Sequence, residues 1–482
     1  VRLGLCGFDP HFWTSVERTR HFFERALAAE MELVREAPVD GWFAELPDAV
    51  LNFSGSRCWD LDHHPDCPLL FAIHGGAILD QDFLRRRLGR LESTDVLIVN
   101  CASDLTILRG LFVGAAPRFC LLPLPVERGV FQPRDPLTCR SELPITASDY
   151  VIGFVARLLP QKNLHGFLRL LADVRRRCSP RTVLGLVVGS FWGDYPVLPY
   201  VTADYPRRIA ATIEQLGLAP AINYFRGGIS DDDLAACYCA MDLLVHPTHS
   251  LDENFGYAPV EAMACGTPVV GAAYGGLKDT VVSGQTGFLM PTWTTPSGIR
   301  MDLLQGTDLV ERVLADAALR GRLSAAAARR AATVYDYAAC AEVLCMAVRS
   351  AVAARRAGEG MPVRLAPPPP EATPLGLLPP LVQPWESFQR LAAVYASGGP
   401  PTVGPASRLR VAAPLLPEGG RWRLDDPAWP ALFDLTASES AVADACATEM
   451  LFAQLSRQLL LDRESAQSLV DRGVLLCSNR PA

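Results

Sequence analysis

Two glutamates carry the plainest chemistry in this sequence. The run Glu253-Asn254-Phe255-Gly256-Tyr257-Ala258-Pro259-Val260-Glu261 follows an apolar stretch, Asp242–His246, and enters a helical pattern that Gly266 and Pro268 end. Gly256 lets backbone approach a ligand closely. Amides at the helix start, around Asn254 to Tyr257, favour an anion. A carboxylate before the helix and another within its first turns can each grip a pair of vicinal hydroxyls, one on a sugar and the other on a ribose. Read alone, the same pair also fits a solvated loop residue and an ordinary charge near a helix N-terminus, worth about 0.3–1 kcal/mol.

A second group lies upstream, in Gly153-Phe-Val-Ala-Arg157-Leu-Leu-Pro-Gln-Lys162-Asn163. The pattern is a strand, a basic loop and a helix start. Arg157 can fork onto phosphate oxygens, and Lys162 adds a compact point charge. A third candidate is His74, which ends the apolar run Leu70–Ile73 and precedes Gly75 and Gly76. It can hydrogen-bond a sugar hydroxyl, or it can be a satisfied core histidine. Cys58, His63, His64 and Cys67 crowd one loop, but their spacing matches no common zinc module, and adjacent histidines rarely reach one ion together.

Short apolar runs alternating with helical patterns must position these residues. Val1–Cys6, Ala49–Phe53, Leu69–His74, Asp95–Asn100 and Phe119–Leu122 read as strands, with Thr14–Glu30 as an amphipathic helix. A second series begins at Tyr150. Tyr150–Ala156, Thr182–Gly189, Ala221–Arg226 and Asp242–His246 read as strands, separated by the helices Asn163–Arg177, Pro206–Leu216 and Asp231–Ala240. Such alternation argues for parallel sheets covered by helices. Two similar halves predict two doubly wound domains facing a cleft, with ligands beyond the carboxyl ends of the strands. Residues 1–140 form the first domain, completed by a helix near 336–357, and residues 141–335 form the second. The proline-rich stretch 358–384 reads as a semi-extended linker. Residues 385–482 read as a small, mainly helical, winged-helix-like module, with helices at Asp434–Cys446, Thr448–Leu461 and Arg463–Arg472 and a strand at Val474–Cys477.

Composition narrows the classes. The chain has 52 acidic and 45 basic residues and a net charge of -7, which gives no support for nucleic-acid binding. The apolar runs considered, such as Pro68–Ile73, are strand-length, so no transmembrane segment is expected. Arg2 soon meets Asp9 and Pro10, which leaves no room for the apolar core of a signal peptide. Fourteen irregularly spaced cysteines, many in apolar runs like Cys120, Cys237 and Cys265, suit a reduced, cytoplasmic protein.

The stretch from about Tyr150 to Met290 resembles the family 4 glycosyltransferases. The likeness rests on the glutamate pair, on His246-Pro247 before it and Ala262–Val270 after it, and on Gly275-Gly276-Leu277 and Gly284–Leu289. It implies the GT-B fold and a retaining, metal-independent hexosyltransferase that uses a nucleoside-diphosphate sugar and needs no cofactor. By this resemblance Glu253 contacts the donor sugar and Glu261 the ribose hydroxyls, with Asn254, Phe255, Gly256 and Tyr257 lining the donor. Arg157 and Lys162 hold the diphosphate and stabilise the leaving group. His74 matches a histidine near the donor sugar.

The chain also departs from that pattern. Family members usually carry a glycine-rich loop after the first strand, whereas Cys6-Gly7-Phe8-Asp9-Pro10-His11 has a single glycine, Gly7, at that acceptor or phosphate position. Glu127 stands where an aspartate is usual. The acceptor, whether small molecule, glycan, peptide or protein, is therefore open. A phosphorylase or epimerase on the same fold, or a non-catalytic nucleotide-sugar scaffold, are the rival readings. The tail is expected either to recruit a peptide or protein acceptor or to pack and form a homo-oligomer.

Overall fold

The computed structural model describes residues 1–11, 14–36, 43–53, 63–77, 88–143, 145, 148–193, 202–367 and 386–479. The chain divides into two compact units. The first comprises Val1–Arg128, Leu251–Tyr257 and Ala331–Pro379; the second comprises Gly129–Ser250, Ala258–Arg330 and Pro380–Ala482.

The first unit holds six parallel strands: β1 (Arg2–Cys6), β2 (Glu32–Arg35), β3 (Ala49–Asn52), β4 (Leu69–Ala72), β5 (Val96–Val99) and β6 (Arg118–Leu121), in the order β2-β1-β3-β4-β5-β6. β3 and β5 are buried throughout, as the apolar runs require. β2 is an edge strand with exposed ends, so it has no continuous apolar run, and the sequence reading missed it. Helix Tyr337–Arg356 packs on Thr14–Ala28 in this unit. The Phe22 and Tyr337 rings meet edge-on at 5.7 Å, and the Cys345 thiol reaches the Ala26 carbonyl at 3.6 Å.

The second unit holds β7 (Tyr150–Val155), β8 (Val183–Gly189), β9 (Ile222–Arg226), β10 (Leu243–His246), β11 (Val269–Ala272) and β12 (Gly287–Met290), all parallel, in the order β12-β11-β10-β7-β8-β9. The order reverses between β7 and β10, so the carboxyl ends of these two neighbours flank the crevice where doubly wound sheets bind ligands. A hairpin, β13 (Thr292–Thr295) and β14 (Gly298–Met301), follows.

Three expectations need correction or refinement. The tail has the expected helices, as Ala437–Ala445, Phe452–Leu459 and Arg463–Asp471, with a fourth at Glu386–Tyr395, but it is not helical alone. It adds two antiparallel three-stranded sheets, β19-β15-β20 and β16-β17-β18, from β15 (Arg408–Val411), β16 (Leu415–Glu418), β17 (Arg421–Leu424), β18 (Ala431–Phe433), β19 (Met450–Leu451) and β20 (Leu475–Ser478). β20 meets the strand expected at Val474–Cys477; the other five are two to four residues long, too short to show a clear alternation in the sequence. The start of the proline-rich stretch is docked, because Val113 N–H donates to the Arg364 carbonyl and Ala366 N–H to the Leu111 carbonyl, both at 2.8 Å. Residues 368–385 lie outside the described ones.

The third concerns apolar length. Ala317–Arg356 spans 40 residues with a mean hydropathy of 1.4 across its most apolar window, long and apolar enough by composition to cross a membrane. It is two helices, Ala317–Val334 and Tyr337–Arg356, and the Asp336 side chain caps the second. Leu323, Ala327, Leu344 and Val348 from these helices are packed inside protein, and 39 % of that most apolar window is buried.

The tail is built into the second unit. Tyr395 stacks on Tyr274 with ring centres 5.6 Å apart, and its carbonyl accepts from Gly275 N–H at 2.9 Å. Lys278 Nζ donates to the carbonyls of Val394 and Ala396, each at 3.0 Å. Arg408, 3 % exposed, pairs with Asp308 and Glu449. Removing one partner from so buried a group leaves a costly unpaired charge.

Candidate functional site

β7 delivers Arg157. Its chain is apolar and buried through Val155, and the backbone then turns so that Leu158 N–H donates to the Ser190 carbonyl at 2.9 Å, just past the end of β8. Arg157 is half-buried, with its guanidinium 5.9 Å from the centre of the Trp192 ring. Pro160–Lys162 form one tight helical turn, and Asn163 adopts a left-handed conformation with φ 63°. Asparagine tolerates that region better than most residues. Its side chain caps helix Leu164–Cys178, Oδ1 accepting from Gly166 N–H at 3.0 Å.

The same asparagine ties this basic turn to the other side of the switch point. Asn163 Nδ2 donates to the Pro247 carbonyl at 3.0 Å, and His249 N–H donates to the Gln161 carbonyl at 3.0 Å. The segment after β10, which leads into the glutamate motif, is thereby fastened to the loop that carries Lys162. The sequence placed these groups separately, and only the strand order makes them neighbours.

Glu261 lies on helix Tyr257–Ala264 and is 4 % exposed. Tyr238, fully buried on helix Asp231–Ala240, donates its hydroxyl to Glu261 Oε2 at 2.9 Å. The Tyr238 ring rests against Phe131, with centres 6.2 Å apart, and its carbonyl accepts from Thr267 Oγ1 at 2.7 Å. A buried carboxylate held this way is positioned as an acceptor for ligand hydroxyls. No local pattern marks Tyr238, because its partner is 23 residues away on another helix.

Glu253 and its followers cluster with the first unit. Glu253 is 5 % exposed. Gly256 has φ 86°, a conformation that side-chain-bearing residues rarely adopt, and the helix begins at the next residue. Phe255 meets Tyr257 and Tyr335 edge-on at 5.2 and 5.8 Å, and the Tyr257 hydroxyl shares a 2.8 Å hydrogen bond with Thr19. Asn254 N–H donates to the Asp252 carbonyl at 2.9 Å.

Two further candidates belong to the first unit. The ring of His74 packs 4.1 Å from Phe53 and 6.4 Å from Phe23. Its Nε2 is buried without a hydrogen-bond partner among the described residues. Burial pushes its pKa down to about 4, so the ring is neutral at physiological pH. Gly7 has φ 66°, and its N–H already donates to Glu36 Oε1 at 3.1 Å. A phosphate at Gly7 would have to displace that carboxylate.

In the histidine-cysteine loop, both ring nitrogens of His64 are engaged, Nδ1 with the Pro65 carbonyl at 2.7 Å and Nε2 with Asp95 at 2.8 Å. Cys58 lies outside the described residues.

Residues 138–300, which contain the Arg157 loop, the Tyr238–Glu261 pair and the switch-point strands, match the model of the glycosyl transferases group 1 family. These residues are similar to that family. D-inositol 3-phosphate glycosyltransferase of Segniliparus rotundus is 30 % identical over 266 residues, covering 53 % of this chain and 56 % of that protein. The enzyme of the same name from Stackebrandtia nassauensis is 31 % identical over 242 residues, half of each chain. The chain thus spans about half the length of the curated relatives it matches. Among solved structures, sucrose-phosphate synthase from Thermosynechococcus elongatus aligns with a TM-score of 0.56 at 22 % identity, covering 73 % of this chain and 99 % of that one. HepE of Anabaena, solved in complex with UDP and glucose, aligns with a TM-score of 0.52 at 20 % identity, covering 72 % and 99 %. At these identities the likeness speaks for the fold, which is GT-B.

Proposed function

We propose that this protein is a retaining, metal-independent glycosyltransferase that moves a sugar from a nucleoside-diphosphate sugar to an acceptor hydroxyl. The observation that carries the reading is the tie from Asn163 to Pro247, which joins the basic turn at the end of β7 to the segment leaving β10. Arg157 and Lys162 supply fixed positive charge there, suited to a diphosphate that gains charge as it leaves. Glu261 takes the ribose hydroxyls and Glu253 the sugar hydroxyls. His74, neutral and with a buried nitrogen to spare, hydrogen-bonds the sugar. The anomeric C–O bond to the diphosphate breaks while the acceptor oxygen bonds the same face of that carbon. The acceptor proton passes to the departing phosphate oxygen.

Gly7 and Glu36 bear on the acceptor. Glu36 Oε1 occupies the Gly7 amide, and Oε2 is buried with no partner among the described residues. That pair suits a neutral hydroxyl compound better than a phosphorylated one. A cytoplasmic location is supported by thirteen described cysteines, all free.

The experiment is a thermal-shift panel of nucleoside diphosphates and their sugars, since a ligand bound to the native state raises its stability by mass action. A shift with one donor, lost in Arg157→Ala and Glu261→Ala, supports the donor site. Transfer without added magnesium or manganese, with the product's anomeric configuration read by NMR, then tests the chemistry. An inverted product would sink the retaining mechanism, and tight donor binding with no transfer across an acceptor panel would favour a non-catalytic scaffold.

A further inference from the structure

His165, His249 and Asp426 come together inside the second unit although the sequence sets them far apart. His165 is in the first turn of helix Leu164–Cys178, His249 follows β10, and Asp426 belongs to the loop between β17 and β18 in the tail. All three are buried, at 5, 4 and 7 % exposure. One nitrogen from each ring and one carboxylate oxygen lie within 4.8 Å of one another. The His165 Nε2 to Asp426 Oδ1 distance is 3.6 Å.

The outer partners of these groups decide what faces inward. His165 Nδ1 bonds the Tyr205 hydroxyl at 3.2 Å. The backbone N–H of His249 donates to the Gln161 carbonyl at 3.0 Å. Its ring Nε2 is buried and has no partner among the described residues. Asp426 Oδ1 is oriented by the N–H groups of Ala428 at 2.8 Å and Trp429 at 3.0 Å. His165, His249 and Asp426 line a void of about 20 Å³, room for a single ion or water. Two imidazoles and one carboxylate thus converge on a void of that size, and the His249 Nε2 there still lacks a partner among the described residues. His165, held from behind through Nδ1, has the arrangement by which proteins present imidazole to a metal.

We propose that His165, His249 and Asp426 form a binding site for one first-row divalent cation, with zinc the best fit to two imidazoles and a carboxylate. The ion pins the tail to the segment after β10. This departs from the expectation that no metal is needed, but the role is structural, and it does not rest on the glycosyltransferase reading. Arg169 and Arg300 line the same void. Arg169 Nη1 donates to the Ala412 carbonyl at 3.0 Å. Arg300 donates to the carbonyls of Gly473, Ile299 and Ser297 at 2.9, 3.0 and 3.0 Å. Arg300 also donates to Ser297 Oγ at 2.8 Å, so the hydrogen bonds of both arginines go to groups other than the cluster, although their charge weakens the ion's hold.

The test uses the full chain, purified without a histidine tag and dialysed against metal-free buffer containing zinc or cobalt at a limiting concentration. Elemental analysis is expected to give about one equivalent per chain, and the cobalt form a visible absorption band of low-coordinate nitrogen and oxygen ligation. Both are lost in His249→Ala and Asp426→Asn and kept in the surface control His63→Ala. Should either variant fail to fold by circular dichroism, the wild-type cobalt band and its bleaching by added zinc carry the test. Wild-type protein with less than about a tenth of an equivalent and no cobalt band overturns the proposal. So does metal that stays bound in folded His249→Ala and Asp426→Asn.

Discussion

The Tyr238 hydroxyl donates to Glu261 Oε2 at 2.9 Å, with both side chains buried. A hydrogen bond to a charged group contributes about 1.5–3 kcal/mol, and here part of that fixes the carboxylate for a ligand. Tyr238→Phe is expected to weaken nucleoside-diphosphate binding about tenfold, equal to about 1.4 kcal/mol, while the chain stays folded. Titration calorimetry on the variant checks it. Unchanged affinity would mean that Tyr238 only packs.

Asn163 holds two positions at once, capping Gly166 N–H and donating to the Pro247 carbonyl. Asn163→Ala loses both bonds and puts an alanine at φ 63°, so the expected loss is about 2 kcal/mol or more. Asn163→Gly relieves the backbone but not the bonds and should fall between the two. Urea denaturation at fixed pH gives the ranking; alanine matching asparagine would contradict it.

His74 makes stability depend on pH. Its folded pKa, about 4, lies below the ordinary histidine value of 6.5, so the unfolded chain binds the proton more readily. Its contribution is complete above pH 6.5 and is lost as pH falls from there towards 4. The loss at pH 5 relative to pH 8 is about 2 kcal/mol. His74→Phe should shrink the difference in unfolding free energy between those two pH values by about that amount. An identical pH dependence in the variant would show that the ring is solvated.

The tail behaves as part of the second unit rather than as an appendage. Gly298, in β14, has φ 115°, and a Cβ there would lie 2.7 Å from the Trp429 ring. Gly298→Ala is expected to cost about 2–3 kcal/mol, read as a lower midpoint in chemical denaturation. Deleting 386–482 should give a protein that aggregates, because Tyr274 and Trp293, fully buried here, lose their cover. A stable, monodisperse truncated protein would restore the separable-module reading.

Much of the architecture was legible because parallel strands buried on both faces are continuous apolar runs, as in β7, β8 and β10. The edge strand β2 and most of the short strands of the tail were not, since neither exposure nor a length of two to four residues leaves a period to read; β20, buried throughout, was the exception, read from Val474–Cys477. The proline-rich stretch misled in part. Its composition suggested a linker, but Pro362 and Leu365 bridge to Glu92 and Phe112 in the first unit.

By itself the sequence determined which residues hold the candidate donor chemistry. Arg157, Lys162, Glu253 and Glu261 sit at strand ends and helix starts, and those local settings are encoded within a few residues of each. Tertiary structure alone decided what supports them. Strand order made the ends of β7 and β10 neighbours, Tyr238 came to Glu261 from another helix, and Asp426 came to His165 and His249 from the tail. The reason is physical: strand and helix patterns report burial along one segment, whereas a buried polar contact is chosen by packing between segments, which no local pattern records.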